Sequence, residues 1–224
     1  MEGEAAHHLG RVLRAQQGQL YELSDGHQVR LGRIEKVARD RIEFALLDEI
    51  PSHQSALDVT LLLSVVKFDA FEWALEKSTE LGVSAIVPLA AARSEKALLA
   101  AAGKRAERWM KILAEASQQS RRVRVPELQA LSQPTQAFAA QNPTAAKVML
   151  SERPDAPALR KILQAEPTRS RAALAIGPEG GWTETEFAAA QASGFREASL
   201  GKLILRTETA VAAALASINY ALSE

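Results

Sequence analysis

Two glycine-bearing stretches near the C-terminus combine residue types that can hold a small charged ligand. Residues 176–181 read Ile-Gly-Pro-Glu-Gly-Gly, and residues 200–206 read Leu-Gly-Lys-Leu-Ile-Leu-Arg. Each stretch follows an apolar, strand-like run and leads into a helix-like run, so each leaves unpaired backbone N–H groups at a helix start. Such groups favour an anionic ligand, and they can also face the edge of an adenine ring. The pair therefore predicts a cradle for a cofactor.

The loop at 176–181 does not match the common nucleotide-binding fingerprints. No Gly-Lys-Ser/Thr follows it, which excludes a P-loop, and the chain has no G-x-G-x-x-G. Its glycines allow a ligand to approach the backbone closely, and its proline stiffens the turn. Taken alone, such a loop is more often a plain strand-to-helix connection, closed here by a capping box of Thr183 and Glu186.

Composition excludes several classes of protein. The chain has 224 residues, 47% of them apolar, and no cysteine, so disulfides and thiolate metal sites are absent. Its histidines lack the spacing of a metal site, and we expect no metal; they are His7, His8, His27 and His53. No apolar run reaches the roughly 18–20 residues of a membrane span, and the acidic N-terminus is unlike a signal peptide. These features predict a cytoplasmic protein with no membrane partner.

The net charge of zero hides two basic blocks. Residues 10–41 carry seven Lys/Arg against four Asp/Glu, and residues 93–124 carry nine against three, which leaves eleven against twenty elsewhere. Basic patches of this kind can bind nucleic-acid phosphates. For either block alone, an ordinary solvated face is an equally good interpretation.

The N-terminal quarter predicts a small β-barrel. Residues 7–14 read as a helical turn or a lead into a strand. Strands are predicted at 19–24, 28–37 and 41–49, and Asp25-Gly26 between the first two is a strong tight-turn signal. Residues 50–55 read as a linker, so we expect domains at 1–54 and 55–224.

The remainder alternates between strands and helices, which predicts an α/β domain with a mostly parallel sheet. Predicted strands are 59–66, 83–88, 146–150, 171–177 and 195–200. The predicted helices are one that begins near Asp69 and ends at Leu81-Gly82, then 103–119, 134–141, 157–165, 184–193 and 208–222. In such sheets ligands bind beyond the carboxyl ends of strands, which places loops 150–152, 176–181 and 200–206 together.

Side-chain spacing further predicts how these helices begin and pack. Asp69, with Glu72 three residues later, is expected to cap the first helix. The expected buried positions of three helices are Phe71, Ala74, Leu75 and Ser78; Ala106, Trp109, Met110, Leu113 and Ser117; and Val211, Leu215, Ile218 and Leu222.

Six motifs spread over nearly the whole chain together resemble one enzyme family. They are His7-His8-Leu9 through Arg14, residues 67–82 with Glu-Lys-Ser-Thr-Glu-Leu-Gly at their end, Arg93-Ser94, residues 118–122 (Gln-Gln-Ser-Arg-Arg), residues 176–181, and residues 200–210 with their Leu-Gly-x-x-Ile-Leu-Arg-Thr-Glu-Thr-Ala. The family is the bacterial 16S rRNA (uracil-N3) methyltransferases, which belong to the knotted SPOUT superfamily. The two C-terminal motifs are the most specific.

The resemblance implies a fold and partners. It implies a PUA-like RNA-binding β-barrel, a methyltransferase domain whose last segment threads a trefoil knot, and a homodimer. The chain departs from the family in that its barrel is N-terminally short. The implied substrate is 16S rRNA or the small ribosomal subunit. Other interpretations stay open: another SPOUT enzyme that methylates a ribose 2′-hydroxyl or a different base, or a non-catalytic ribosome assembly factor that binds RNA. The intact glycines at 177, 180 and 181 argue against the last.

The resemblance also implies that S-adenosylmethionine is held bent between the three loops. The expected cofactor-binding residues are Leu150, Ser151, Glu152, Ile176, Gly177, Pro178, Gly180, Gly181, Ser199, Leu200, Gly201, Leu203, Leu205 and Ala210. The expected RNA-binding residues are Arg11, Arg14, Arg30, Arg33, Arg93, Arg121 and Arg122. A structural role is an equally good interpretation for each of the last three arginines.

The implied reaction assigns a role to one further arginine. Uracil N3 carries a proton with a pKa above neutral, so its reactive form is an anion spread over two carbonyl oxygens. A guanidinium beside such an oxygen stabilises the anion electrostatically, and Arg206 is the first candidate for this catalytic role. Glu115, Glu179 and Glu208 are candidates for a general base, although Glu208 also suits the start of a helix.

Overall fold

The computed structural model describes residues 1–38, 40–51, 57–165 and 170–222. The chain divides into two compact units, Met1–Gln54 and Ser55–Glu224. Most of the predicted linker at 50–55, and the predicted domain boundary, lie outside the described residues. The roles assigned to 1–54 and 55–224 stay predictions.

The N-terminal unit is built on a three-stranded antiparallel sheet. In order across the sheet, its strands are β1 (Leu20–Ser24), β2 (Val29–Val37) and β3 (Ile42–Ile50). Their bounds lie within one residue of the predicted ones, so the three strands are confirmed. Closure of this sheet into a barrel stays a prediction.

Two short helical segments precede this sheet. They are α1 (Gly3–His7) and a π-helical turn (His8–Val12), so the predicted helical turn is the correct alternative. Leu9 from the π-helical turn is buried in a small core with Ile34 and Ile42.

The tight turn at Asp25 joins β1 to β2. Asp25 Oδ1 accepts hydrogen bonds from the backbone N–H of Gln28 (2.9 Å) and of His27 (2.8 Å). These two bonds, with that from Gln28 the larger influence, lower the pKa of the Asp25 carboxyl. Gly26 adopts a φ of +87°, which favours glycine. The predicted Asp-Gly turn is therefore confirmed.

The C-terminal unit contains a six-stranded parallel sheet with the strand order β6-β5-β4-β8-β7-β9. The strands are β4 (Asp58–Ser64), β5 (Ala85–Leu89), β6 (Glu127–Leu128), β7 (Ala146–Leu150), β8 (Arg171–Ile176) and β9 (Arg196–Ala198). The helices are α2 (Phe68–Glu80), α3 (Lys96–Ala102), α4 (Ala106–Gln119), α5 (Pro134–Ala139), α6 (Leu159–Gln164), α7 (Glu184–Ala192) and α8 (Thr207–Leu222). The predicted α/β architecture with a mostly parallel sheet is confirmed.

Helices cover both faces of the sheet, because the central strand β4 is apolar on both sides. Leu61 and Leu63 of β4 belong to a core shared with α2, α4, α6 and α8. Leu62, between them, faces a second core shared with α5 and α7. Burial on both faces is what a parallel sheet requires, and it explains the consecutive leucines at 61–63 in β4.

Helix α2 packs as predicted but begins differently. Its buried residues include Phe71, Ala74, Leu75 and Ser78, which confirms the predicted face. The predicted cap at Asp69 is wrong, since the helix begins at Phe68 and no side chain caps it.

The physical reason lies in Glu72, the expected partner of that cap. Its carboxylate pairs with Arg108 of α4 (2.8 Å) and with Arg105 of the turn before α4 (3.4 Å), and is therefore not available to cap its own helix. Asp69 lies in the first turn of α2, where the positive end of the helix dipole attracts its carboxylate.

The region predicted as one helix at 103–119 has two parts. A 3-10 turn (Gly103–Arg105) leads into α4, and the preceding α3 was not predicted. Trp109, Leu113 and Ser117 are buried as expected, whereas Ala106, at the first position of α4, is only half-buried. Met110 is 53% exposed, so its predicted burial is wrong. Met110 lies about 100° around the helix from Trp109, and the inner face continues through Ala116 instead.

Candidate functional site

A cavity of about 590 Å³ lies at the carboxyl edge of the parallel sheet. The loops after β7, β8 and β9 meet there, as expected for ligand sites in open α/β sheets. Every predicted cofactor-binding residue except Ser199 lines this cavity. Ser199 lies behind the lining, where its backbone pairs with that of Pro157 (2.8 Å) and Leu159 (2.8 Å) and supports the loop.

The loop after β8 packs too closely to accept side chains at two of its glycines. A Cβ on Gly177 would lie 3.0 Å from the ring of Trp182, and a Cβ on Gly180 would lie 3.2 Å from the Cβ of Arg93. Gly181 adopts a φ of +70°, and its N–H closes a turn on the carbonyl of Pro178 (2.8 Å). These contacts explain the Gly-Pro-Glu-Gly-Gly sequence and leave bare backbone facing the cavity.

Trp182 connects two of the three loops and was not predicted. Its indole Nε1 donates to the carbonyl of Leu150 (3.0 Å), at the end of β7. Trp182 is buried, and its ring packs edge-on against Phe138 with centroids 5.8 Å apart. A lone tryptophan directly after paired glycines was the available signal, because a buried indole N–H usually finds a partner.

The predicted capping box at the start of α7 is confirmed. Thr183 Oγ1 accepts from the backbone N–H of Glu186 (3.3 Å), and Glu186 Oε2 accepts from the backbone N–H of Thr183 (2.8 Å). This pair ends the glycine loop and fixes the point at which α7 begins.

Two of the predicted arginines of the C-terminal unit lie in the cavity wall. Arg206 is exposed there, and its backbone carbonyl accepts the first hydrogen bond of α8, from Ala210 (2.9 Å). Arg93 follows β5, and its Nη1 donates to the carbonyl of Gly180 (2.8 Å). The cavity therefore presents two guanidinium groups beside the bare backbone.

Arg121 and Arg122 do not line the cavity. They follow the end of α4, and Arg121 adopts a φ of +54°. Arg122 Nη1 donates to the carbonyl of Thr79 at the end of α2 (2.7 Å), and burial lowers the pKa of the Arg122 guanidinium. For Arg122 this geometry favours the structural alternative.

The four arginines predicted to bind RNA in the N-terminal unit differ in their surroundings. Arg11 and Arg14 are exposed, and Arg14 adopts a φ of +52°. Arg30 donates to a backbone carbonyl of β3 (3.0 Å), and Arg33 pairs with Glu35 (2.9 Å). Arg11 and Arg14 are thus the better placed pair for phosphate contacts.

Of the three predicted general-base candidates, only Glu179 lines the cavity. Glu115 lies on α4. Glu208 lies in the first turn of α8, where its negative charge interacts favourably with the helix dipole, as expected. Glu152 also lines the wall.

A further cation at the cavity, Arg153, was not predicted. Its guanidinium lies 3.7 Å from the ring centroid of Phe187 and pairs with Glu184, and that hydrogen bond raises the pKa of Arg153. Its backbone N–H donates to Ser151 Oγ (3.1 Å). These contacts hold the loop after β7 against the start of α7.

The wall also carries exposed apolar side chains. Leu203 is 81% exposed and Ile204 is 78% exposed, both in the loop after β9. Apolar surface beside bare backbone N–H groups suits a planar ring, and the charged residues suit an ionic tail. Within the described residues, no three His, Asp or Glu residues form a group that could hold a metal ion.

Comparison with known proteins identifies the family. Residues 53–219 match the sequence model of an RNA methyltransferase domain. The chain is 35% identical over 218 residues to ribosomal RNA small subunit methyltransferase E of Synechocystis sp., a match that covers 95% of this chain and 70% of that protein. It is 33% identical over 228 residues to the Bacillus subtilis protein of the same name, with 97% and 88% covered.

The chain belongs to the ribosomal RNA small subunit methyltransferase E family. The expected resemblance to an rRNA methyltransferase family is therefore confirmed. Solved structures agree with this membership. Ribosomal RNA small subunit methyltransferase E from Neisseria gonorrhoeae, bound to S-adenosyl methionine, matches with a TM-score of 0.90 at 32% identity, covering 100% of this chain and 91% of that one. A putative methyltransferase from Legionella pneumophila with bound SAM matches with a TM-score of 0.88 at 29% identity, covering 100% and 92%.

None of the helices within residues 1–38, 40–51, 57–165 and 170–222 could cross a membrane.

Proposed function

We propose that this protein methylates N3 of a uracil in 16S ribosomal RNA, with S-adenosylmethionine as the methyl donor. The observation that carries the proposal is the cavity at the carboxyl edge of the sheet, lined by three loops in a chain that matches two structures solved with this cofactor. The proposed substrate is 16S rRNA or the small ribosomal subunit.

The residues present fit the cofactor. A Cβ at Gly177 or Gly180 would lie against Trp182 or Arg93, so both positions leave bare backbone in the cavity wall, as expected where backbone contacts a ligand. Ile176, Leu200 and Leu205 supply apolar wall for an adenine ring. S-adenosylmethionine supplies, when bound, an electrophilic methyl group on a sulfonium. The protein's own part is to align the acceptor and to favour its reactive form.

Arg206 is the proposed catalytic residue. It projects into the cavity wall from the start of α8, so its guanidinium is available to a uracil carbonyl oxygen. A positive charge there stabilises the N3 anion electrostatically. Glu179 is the proposed acceptor of the N3 proton, because it is the candidate carboxylate that lies in this wall.

The proposed domains divide binding from chemistry. In this proposal, residues 1–54 form a PUA-like RNA-binding barrel, with Arg11 and Arg14 as its main phosphate contacts. Residues 55–224 form the SPOUT methyltransferase domain, whose segment after β9 threads a trefoil knot before α8. Support for the methyltransferase domain comes from the match of residues 53–219 to the sequence model of an RNA methyltransferase domain.

The proposed assembly is a cytoplasmic homodimer formed through the C-terminal unit. Tyr220 on α8 is 93% exposed, and Leu203 and Ile204 are nearly as exposed. Large apolar side chains of this kind are typical of an interface. A two-fold contact that covers them would bring the loop after β9 close to the partner subunit.

The rival functions differ in the product that they predict. A related SPOUT enzyme would leave a ribose 2′-O-methyl group or a methyl on another base, and an assembly factor would leave rRNA unmodified. The test is nucleoside mass spectrometry of digested 16S rRNA from a strain that lacks this protein. We expect 3-methyluridine to disappear and to return when the gene is restored. Loss of a different methylated nucleoside, or of none, would contradict the proposal.

A further inference from the structure

A short turn after β5 presents Arg93 to the cavity. Ala91 is buried, and the N–H of Ser94 closes the turn on the carbonyl of Ala91 (3.0 Å). Ser94 Oγ donates to the carbonyl of Val65 (2.8 Å), which anchors the turn to the end of the neighbouring strand β4. Arg93 is the long side chain that leaves this anchored turn.

The same turn is tied to α7 by a buried carboxylate. Glu186 is 5% exposed, and its Oε1 accepts from the backbone N–H of Ala92 (2.9 Å). Its Oε2 accepts from the backbone N–H and from Oγ1 of Thr183, both at 2.8 Å. Glu186 therefore does more than complete the capping box, because it joins the Arg93 turn to the end of the glycine loop.

Arg93 completes the link to the cofactor cradle. Its Nη1 donates to the carbonyl of Gly180 (2.8 Å), and its Cβ packs where a side chain on Gly180 would lie. One N–H of the guanidinium is used in this way, and a guanidinium has five. The glycine loop is thus held at Gly180 by Arg93 and at Thr183 by Glu186.

We propose that Glu186 is a positioning residue for methyl transfer, which holds Ala92 so that the Arg93 guanidinium stays in the cavity wall and donates to an oxygen of the target nucleotide. The inference rests on the proposed function. Glu186 itself does not line the cavity and acts through Arg93.

The two oxygens of Glu186 allow this role to be separated from helix capping. In Glu186→Gln, the single amide oxygen can keep the Thr183 contacts, but the NH₂ group then faces the Ala92 N–H, and two donors cannot pair. The variant breaks the link to Arg93 and spares the cap. Thr183→Val is the matched control, because it removes the capping hydroxyl and leaves both backbone contacts to Glu186.

The experiment measures methylation of small ribosomal subunits purified from a bacterial strain that lacks this methyltransferase. We expect Glu186→Gln to lower kcat/KM about tenfold while the Kd for S-adenosylmethionine stays within about threefold. Arg93→Ala should lower kcat/KM at least as much. The kcat/KM of the double variant should lie within about twofold of that of Arg93→Ala, since the effects of residues that act as one unit do not add.

Thr183→Val should lower the melting temperature and leave kcat/KM within about twofold of wild type. Should Glu186→Gln fail to fold, Glu186→Asp retains the charge but is one methylene shorter, and the same loss of turnover is expected. The positioning role is wrong if the losses of kcat/KM caused by Glu186→Gln and Arg93→Ala multiply in the double variant. It is also wrong if Glu186→Gln and Thr183→Val lower kcat/KM equally. Either result leaves the proposed function intact. A wild-type protein that does not methylate the subunits would overturn the proposed function together with it.

Discussion

At the scale of the residue, interatomic distances explain why the loop after β8 contains glycine. A Cβ at Gly180 would lie 3.2 Å from the Cβ of Arg93, so a branched side chain there forces Arg93 or the loop to move. We expect Gly180→Val to displace Arg93 or the loop and to weaken S-adenosylmethionine binding at least tenfold, about 1.4 kcal/mol. Calorimetric titration of the folded variant measures this change.

A matched control exists at Gly103, at the end of α3. A Cβ there meets nothing within 4 Å, and its φ is −59°. Gly103→Val should therefore bind the cofactor as the wild type does. Equal affinities for Gly180→Val and wild type would remove this loop from the cofactor site.

Arg206 carries the second prediction at this scale. We expect Arg206→Ala to lower kcat about a hundredfold, in the range found when one stabilising donor is removed from a charged transition state. The Kd for S-adenosylmethionine should be nearly unchanged, because the predicted cofactor contacts are made mainly by backbone and apolar groups. A single-turnover methylation assay with small subunits measures the rate.

The control for Arg206 is another exposed arginine, Arg171. It begins β8, at the opposite end of that strand from the cavity, and pairs with Asp58 (3.6 Å). Arg171→Ala should leave turnover within about twofold of wild type. If Arg206→Ala is equally active, Arg206 has no part in the mechanism.

At the scale of the element, the end of α2 depends on side chains from elsewhere in the chain. Arg122 donates to the carbonyl of Thr79, and Asn219 of α8 donates to that of Leu81 (2.7 Å). Arg122→Ala leaves the Thr79 carbonyl without this partner, at a cost of about 1–3 kcal/mol of unfolding free energy. Chemical denaturation measures it, with Lys104→Ala, an exposed cation of the same basic block, as the control.

The outcome also decides between the two interpretations of Arg122. A stable Arg122→Ala variant that has lost RNA binding would assign this residue to the RNA, as the resemblance implies. A destabilised variant with unchanged RNA affinity would assign it to the fold.

Periodicity and turn residues were sufficient for most elements. The bounds of β7 are those predicted, and Val211, Leu215, Ile218 and Leu222 are buried on α8 as expected. These elements have long apolar patterns, so local sequence and tertiary packing agree. The same holds for the capping box at Thr183.

Most of the errors arise where a long-range contact overrides a local pattern, and one is an error of angular position on a helix. Glu72 was read as part of a cap, yet it pairs with arginines beside α4, which are more than 30 residues away. Met110 is apolar, as a buried position requires, but its angular position on α4 places it outside the buried face. Within the site, the loops were predictable from glycine and strand ends, whereas Trp182 and Arg153 were missed because their partners lie on other elements.

At the scale of the whole molecule, the division into two units allows one to be tested alone. The C-terminal unit has two apolar cores of its own, one on each face of its sheet. We expect residues 55–224 alone to fold, dimerise and bind S-adenosylmethionine, and to methylate RNA only weakly. The reason is that Arg11 and Arg14, which we propose as phosphate contacts, are missing.

Thermal melts, sedimentation, cofactor titration and a methylation assay of residues 55–224 together measure this division. A parallel full-length variant, with Arg11 and Arg14 both changed to Glu, should bind RNA more weakly and with a flatter salt dependence. Full methylation by residues 55–224 would refute the division, and joint loss of stability and cofactor binding would show that residues 1–54 support the fold instead.

The central claim concerns the atom that receives the methyl group. The most direct measurement incubates the purified protein with S-adenosylmethionine that carries a trideuterated methyl group and with small ribosomal subunits from a strain that lacks the enzyme. The rRNA is then digested to nucleosides for mass spectrometry. We predict one trideuterated 3-methyluridine per subunit in the wild-type reaction and nearly none with Arg206→Ala. Label on a ribose, on another base, or on no nucleoside would contradict the account.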